Sequence, residues 1–249
     1  MNDYFTDIYR IAGRDIKICS LYPAVHEYCR EYRVPEEERQ VLPEGKEEFP
    51  AVYITPQDIA YENAADEKLQ HFSDADLEAL AVCRRIAEFM PAYDTFLFHA
   101  SAAAVDGKAY LFAAESGTGK STHARLWREL LGDRVVMVND DKPFVSIIRD
   151  QVMVWGSPWT GKHRLGSNIS VPVKAVCVLE RGETNRICRI SAAEAYPVLI
   201  RQTYRPHDPG MMMKTLQLID RLAGMAEFYH LSCNMEPEAA RLSYETMKE

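Results

Sequence analysis

The sequence predicts an α/β protein: a P-loop sheet over residues 96–249, preceded by a small α/β segment over residues 1–95. Three observations lead there. Strand and helix patterns alternate after Thr95, the texture of a sheet with a parallel core. A glycine-rich loop, Ala114-Glu115-Ser116-Gly117-Thr118-Gly119-Lys120-Ser121-Thr122, stands between an apolar run and a helix pattern. An acidic pair, Asp140-Asp141, closes the next apolar run.

The N-terminal elements come first. Tyr9–Ile11 and Ile16–Cys19 flank Gly13 and predict a hairpin, because glycine supplies the turn torsion between two short apolar runs. Residues 34–50 are acidic and carry Pro35, Pro43, Gly45 and Pro50, the composition of a loop or linker. Val52–Thr55 reads as a short strand. Ser73 with Asp76 is a capping-box variant, and Ala79, Val82, Cys83, Ile86 and Met90 follow at helical spacing until Pro91 stops the helix.

After Thr95, Phe96–Phe98 and Tyr110–Ala113 are predicted as strands joined through the Asp106-Gly107 turn. A helix over Ser121–Leu131 presents Ala124, Trp127, Leu130 and Leu131 on one side. Val135–Val138 is a continuous apolar run, as in a strand buried on both faces. Ala175–Leu179 and Arg186–Ile190 are strands around Gly182, and Ser191 with Glu194 is a second capping box. Asp208-Pro209 opens a helix through Met212, Leu216, Ile219 and Ala223, with Met211–Met213 as core filler. Pro237 starts the last helix.

Composition narrows the function classes. Apolar residues make up 47% and charged residues 27%, which excludes a disordered or low-complexity chain. The net charge of −8 argues against a nucleic-acid binder, which needs a basic surface to displace counterions. The longest apolar stretch, residues 96–114, is broken by His99, Asp106 and Lys108, so no membrane partner is expected. The opening residues lack the basic and apolar regions of a secretory signal, which gives a cytoplasmic expectation. The six cysteines show no metal-binding spacing and read as small buried hydrophobes.

The loop carries the chemistry. Gly117 and Gly119 free the backbone to turn its N–H groups inward around an anion, with Ser116, Thr118 and Thr122 completing the cradle. Lys120 would set an ammonium against the β- and γ-phosphates of ATP, and the Ser121 hydroxyl would hold Mg²⁺. Ala114 stands where the consensus begins with glycine. Asp140 and Asp141 follow a strand end, where ligands of open α/β sheets bind; adjacent carboxylates point apart, so one can serve a metal and the other an acceptor hydroxyl. His99, at the end of an apolar strand, could tune that base or bind the transferred phosphate. Residues 156–164, with two glycines, a proline, Lys162, His163 and Arg164, form either a mobile lid or an exposed hairpin over Trp159. Arg201, Arg205 and His207 could reach an anion in the site or end a solvated helix. Arg125 and Arg128 read as surface charges.

From about Phe96 to Lys142, the run His99-Ala100-Ser101, the Asp106-Gly107 turn, the SGTGKS loop and the acid pair resemble the C-terminal domain of HPr kinase/phosphorylase. That family phosphorylates a serine on a small carrier protein, and its fold is related to the nucleotide-binding part of phosphoenolpyruvate carboxykinase. The resemblance implies an ATP- and Mg²⁺-dependent hydroxyl kinase. It assigns Lys120 and Ser121 to ATP and metal, Asp140 and Asp141 to metal and base, with Asp141 favoured for one of these, and His99 to the side of the acceptor. The family's Glu-x-Arg-Gly signature is missing; Glu180-Arg181-Gly182 is similar only superficially. A target other than HPr is therefore expected: a serine of another protein or peptide, or a small hydroxylated metabolite. Oligomers are common in that family, so a homo-oligomer stays open. Other readings are a nucleotide-binding regulator with little turnover, carboxykinase-like decarboxylation, and a kinase of peptide tailoring whose residues 1–95 recognise the precursor.

Overall fold

A computed structural model describes residues 4–41, 49–65 and 71–249. The chain divides into two compact units, Met1–Phe89 and Met90–Glu249. Met90 and Pro91 belong to the second unit, where a short 3₁₀ turn, Met90–Tyr93, leads into its first strand. Residues 42–48 of the expected linker lie outside the described residues.

The first unit is a three-stranded sheet with helices. Strands β1 (Phe5–Ile11) and β2 (Arg14–Ser20) are antiparallel partners. Ala12 and Gly13, both at positive φ, make the two-residue turn whose twist suits a hairpin. Arg10 clamps the hairpin with a bidentate pair to Asp15 at 2.7 and 3.1 Å. After the short helix α1 (Ala24–Tyr28), strand β3 (Ala51–Tyr53) joins β2 in parallel. Helices α2 (Pro56–Ala65) and α3 (Asp74–Phe89) complete the unit. Ser73 caps α3: its Oγ and the Asp76 carboxylate lie 2.6 Å apart, and the Asp76 N–H donates back to Oγ at 3.2 Å. The buried face of α3 carries Leu77, Ala81, Val82, Cys83 and Ile86, with Ala79 at its margin. It also buries a carboxylate: Glu78 accepts the Leu21 and Tyr22 N–H groups at 2.5 and 3.0 Å, and burial pushes its pKa up against those bonds.

The second unit contains β4 (Thr95–Leu97), β5 (Ser101–Val105), β6 (Lys108–Ala113), α4 (Lys120–Leu131), β7 (Val135–Asn139), β8 (Phe144–Ile148), β9 (Gln151–Trp155), β10 (Ser170–Arg181), β11 (Arg186–Ile190), α5 (Ala192–Gln202), α6 (Pro209–Met225), β12 (Glu227–Cys233) and α7 (Pro237–Met247). Its nine strands run in the order β4-β8-β9-β10-β6-β5-β7, while β12 pairs with both β10 and β11. The long β10 pairs with β9 through its first residues and then lies between β6 and β12, so one strand serves two parts of a curled sheet. Helices α5 and α6 cover one face through Ala195, Leu199, Leu218, Ile219 and Leu222. Helices α4 and α7 cover the other through Ala124, Leu126, Trp127, Ala240 and Met247.

Three expectations are corrected. The sheet is mixed, its only parallel pairs among the described residues being β6–β10 and β10–β12. The partner of β6 across Asp106-Gly107 is the alanine-rich β5, whereas β4 pairs with β8. Alanine has weak strand propensity, yet five small side chains in a row fit between two covered faces, and all of β5 is buried. Strand β7 is an edge strand rather than a central one; β5 is its only partner strand among the described residues, a single bridge from Asn139 to Gly166 covers the end of its outer side, and Val136 is left 43% exposed.

Both capping signals in this unit are realised. Ser191 and Glu194 form the reciprocal box of α5, and Asp208 accepts the Met211 N–H at 2.9 Å at the start of α6. Cys19, Cys29, Cys83 and Cys177 are buried, while Cys188 is exposed and Cys233 half-buried. No helix among the described residues is long and apolar enough to cross a membrane.

Candidate functional site

Strand direction creates the site. Because β5 is antiparallel to both β6 and β7, those two run the same way and finish at one edge of the sheet. The glycine-rich loop leaves the end of β6 and the acid pair leaves the end of β7, so residues 114–122 and 140–141 meet. A cleft of about 450 Å³ lies between them. Its walls are Ser116, Gly117, Gly119, Lys120, Ser121 and Thr122 from the loop side, Asp140 and Asp141 with His99 opposite, and Gly161, Lys162 and His163 along the rim. Of the loop residues expected to bind, Thr118 alone faces away, toward neighbouring grooves.

The loop has the backbone its sequence implies. Gly117 and Gly119 sit at φ +81° and +124°, conformations an L side chain adopts only under strain, with open space where a Cβ would stand. Gly119 begins α4 without a side-chain cap, so the first-turn N–H groups of α4 face the cleft end of the loop. Lys120 is buried and its Nζ donates to the Ala114 carbonyl at 2.9 Å. Burial lowers its pKa, and the charge of Asp141 opposes that shift.

Asn139 fixes the two carboxylates. Its Oδ1 accepts the N–H groups of Asp141 and Lys142 at 2.8 and 2.7 Å, a tight turn that splays the acids apart. Asp141 meets His99 Nε2 at 3.2 Å through Oδ1 and Lys142 Nζ at 2.8 Å through Oδ2. Burial by itself would raise the Asp141 pKa, but those two partners hold the carboxyl well below its usual range. Asp140 is the opposite case. Its Oδ1 accepts the Gly161 N–H at 2.6 Å, while its buried Oδ2 has no hydrogen-bond partner. Burial raises its pKa against the Gly161 bond, and the neighbouring Asp141 charge pushes the same way. Two adjacent carboxyls thus have pKa values driven in opposite directions, the condition under which one stays ionised while its neighbour can take a proton.

The 156–164 segment is neither a free lid nor an exposed hairpin. Asn139 Nδ2 donates to the Ser157 carbonyl at 3.1 Å, Ser157 Oγ donates to the Lys142 carbonyl at 2.7 Å, and Trp159 is buried. Only residues 162–164 are exposed, and of these Lys162 and His163 line the cleft rim. Arg201 pairs with Glu115 on the outside of the loop at 3.3 Å, and Arg205 and His207 do not line the cleft.

Sequence reasoning passed over three contributors. Lys142 adjoins the acid pair and could have been suspected from position. Asn139 was visible only as a polar residue beside two acids. Arg181, at the end of β10, donates to the carbonyls of Gly117 and, at 3.4 Å, Thr118; its closeness to the loop depends on β10 lying next to β6.

Fold and cleft together define a mixed α/β protein with a curled mixed sheet, a small N-terminal sheet, and a glycine-rich loop facing an acid pair. The family model of the SynChlorMet cassette protein ScmC matches residues 68–207, and the chain belongs to that family. No curated protein matches the sequence. Among solved structures, the Hpr(Ser) kinase/phosphatase from Coxiella burnetii is similar at a TM-score of 0.35 and 11% identity, over 61% of this chain and 99% of that one, a distant likeness.

Proposed function

We propose that this protein is an ATP- and Mg²⁺-dependent kinase that transfers the γ-phosphoryl group to a hydroxyl. The observation that carries the reading is one cleft in which the Gly117–Lys120 loop faces Asp140, Asp141 and His99. A loop with Gly117 and Gly119 at positive φ, leading into the N-terminus of α4, suits a triphosphate, as does the Lys120 ammonium. Ser121 and Asp141 supply hard oxygen donors on the walls of the cleft, the ligand type Mg²⁺ takes, so the residues fit Mg²⁺. Bound there, Mg²⁺ would neutralise charge on the phosphate oxygens.

In this reading Asp141, held ionised by His99 and Lys142, serves the metal with Ser121. Asp140, whose carboxyl is pushed up, takes the proton of the acceptor hydroxyl as its oxygen bonds the γ-phosphorus and ADP departs. Gly161 covers Asp140, so the acceptor replaces that cover. Lys162 and His163 at the rim stabilise charge on the moving phosphoryl. The acceptor is a serine of a protein or peptide, or a small hydroxylated metabolite.

The test is transfer from γ-labelled ATP with Mg²⁺ to a lysate of proteins and peptides and to a panel of hydroxylated metabolites. Asp140→Asn is expected to cut labelling about 10²- to 10⁴-fold while leaving ATP binding intact, the loss typical of a removed general base. Lys120→Ala is expected to abolish ATP binding. Tight ATP binding with no transfer to any acceptor would replace the kinase by a nucleotide-binding regulator.

A further inference from the structure

Gly117 and Gly119 give the phosphate loop its shape, yet nothing lies within 4 Å of where either would carry a Cβ. Gly119 also begins α4 with no side-chain cap. Glycine loses more conformational freedom on ordering than any other residue, so a loop of this kind needs a hold from outside it. Within the loop, the Thr118 N–H donates to the Glu115 carbonyl at 3.2 Å, and Lys120 Nζ donates to the Ala114 and Glu115 carbonyls at 2.9 and 3.5 Å. One side chain from elsewhere bonds the loop backbone among the described residues. Arg181 donates to the Gly117 carbonyl through Nη2, and to the Thr118 carbonyl through Nε at 3.4 Å.

Sheet geometry brings Arg181 there. The pairing of β6 with β10 ends at Ala113 and Val178, and β10 runs on from Val178 to Arg181, about 10 Å at strand spacing. That overhang is itself fixed. Strand β10 stays paired with β12 as far as Arg181 and Cys233, and the Gly182 N–H donates to the Cys233 carbonyl at 3.0 Å. Arg181 lines the same two neighbouring grooves as Thr118 and does not line the acid cleft.

Resting on the kinase reading above, we infer that Arg181 is a positioning residue that keeps the empty loop in the shape that receives a triphosphate. In a trans peptide unit the C=O and the following N–H point opposite ways. Two carbonyls drawn toward Arg181 therefore turn the Thr118 and Gly119 N–H groups away from it. The first closes the turn onto Glu115. The second has no acceptor among the described residues, and Gly119 lines the acid cleft. Arg181 thus aims a donor at the phosphates without touching them, and the glycines are ordered before the ligand arrives. Arg201, the other arginine at the loop, pairs with the Glu115 side chain at 3.3 Å and bonds no loop backbone.

Backbone amide NMR relaxation and calorimetric titration with Mg-ATP test this on the full chain. Wild type is compared with Arg181→Met and, as a control, Arg201→Met, both substitutions at exposed positions. Without ligand, order parameters at Gly117, Thr118 and Gly119 should fall from the rigid range, about 0.85, to below about 0.6 in Arg181→Met alone, with α4 unchanged. Mg-ATP should bind Arg181→Met about tenfold more weakly, the scale of one hydrogen bond to a charged group, and Arg201→Met as wild type. An affinity for Arg181→Met equal to wild type would overturn the positioning role and leave the kinase reading standing. Weaker binding with an unmoved loop would overturn it as well, making Arg181 a direct ligand contact. If wild type fails to bind Mg-ATP, the kinase reading falls and takes this role with it, even where relaxation shows Arg181 ordering the loop.

Discussion

Ser243 on α7 ties the helix of the phosphate loop to the rest of its layer, and removing its hydroxyl tests how that helix is held. Ser243 is fully buried, and its Oγ lies 2.9 Å from His123 Nε2, 2.9 Å from Trp127 Nε1 and 3.0 Å from the Ala240 carbonyl. Ser243→Ala leaves the indole N–H and one imidazole nitrogen with no partner. Neither ring can turn to find another, because Trp127 is wedged against Tyr110, Phe112 and Tyr244 at centroid distances of 5.0, 5.1 and 5.4 Å. A stranded buried polar group costs about 1–3 kcal/mol, so the pair should lower the stability of the second unit by about 2–6 kcal/mol. All three tryptophans, Trp127, Trp155 and Trp159, lie in that unit, so urea unfolding followed by tryptophan fluorescence reports on it alone. A double-mutant cycle with His123→Phe should show coupling of at least about 0.5 kcal/mol, as expected for groups sharing one hydrogen-bond network. A loss below about 0.5 kcal/mol for Ser243→Ala, within the ordinary range of a surface substitution, would refute the argument that this hydroxyl satisfies two buried groups.

Two further outcomes follow from buried charge. Burial pushes the His123 pKa down to about 4, below its ordinary 6.5, so between those values the unfolded chain binds a proton that the folded chain refuses. Stability of the second unit should therefore fall as pH drops from 6.5 to 4, by about 3 kcal/mol in all, and level off below; His123→Gln should flatten that part of the urea-midpoint profile, and identical profiles would contradict the assignment. In the first unit, Glu78→Ala should strand the Leu21 and Tyr22 N–H groups and cost about 2–4 kcal/mol, seen as faster hydrogen exchange at both amides. Unchanged exchange there would show that Glu78 is not their partner in solution.

Local chemistry was legible along the chain. Ser73 with Asp76, Ser191 with Glu194, and Asp208-Pro209 mark helix starts because capping involves residues at most three apart. The glycine loop declared its backbone through Gly117 and Gly119, which reach φ values that other residues avoid. Strand order was not legible in the same way. The alanine run of β5 gave no strand signal, since what makes it a strand is the pair of covered faces around it. The apolar run of β7 looked central and lies at an edge.

The sequence by itself determined the loop, the acid pair and the residue types able to meet a triphosphate, because each is a matter of a few consecutive side chains. Only the tertiary structure decided that they share a cleft. That required β5 to insert antiparallel between β6 and β7, turning both carboxyl ends to one edge. It also decided the different characters of Asp140 and Asp141, adjacent in the chain and chemically identical. His99 and Lys142 reach one, while Gly161 seals the other. A carboxyl's proton affinity is set by burial and by the charges brought within a few ångströms of it, and those neighbours are chosen by the fold.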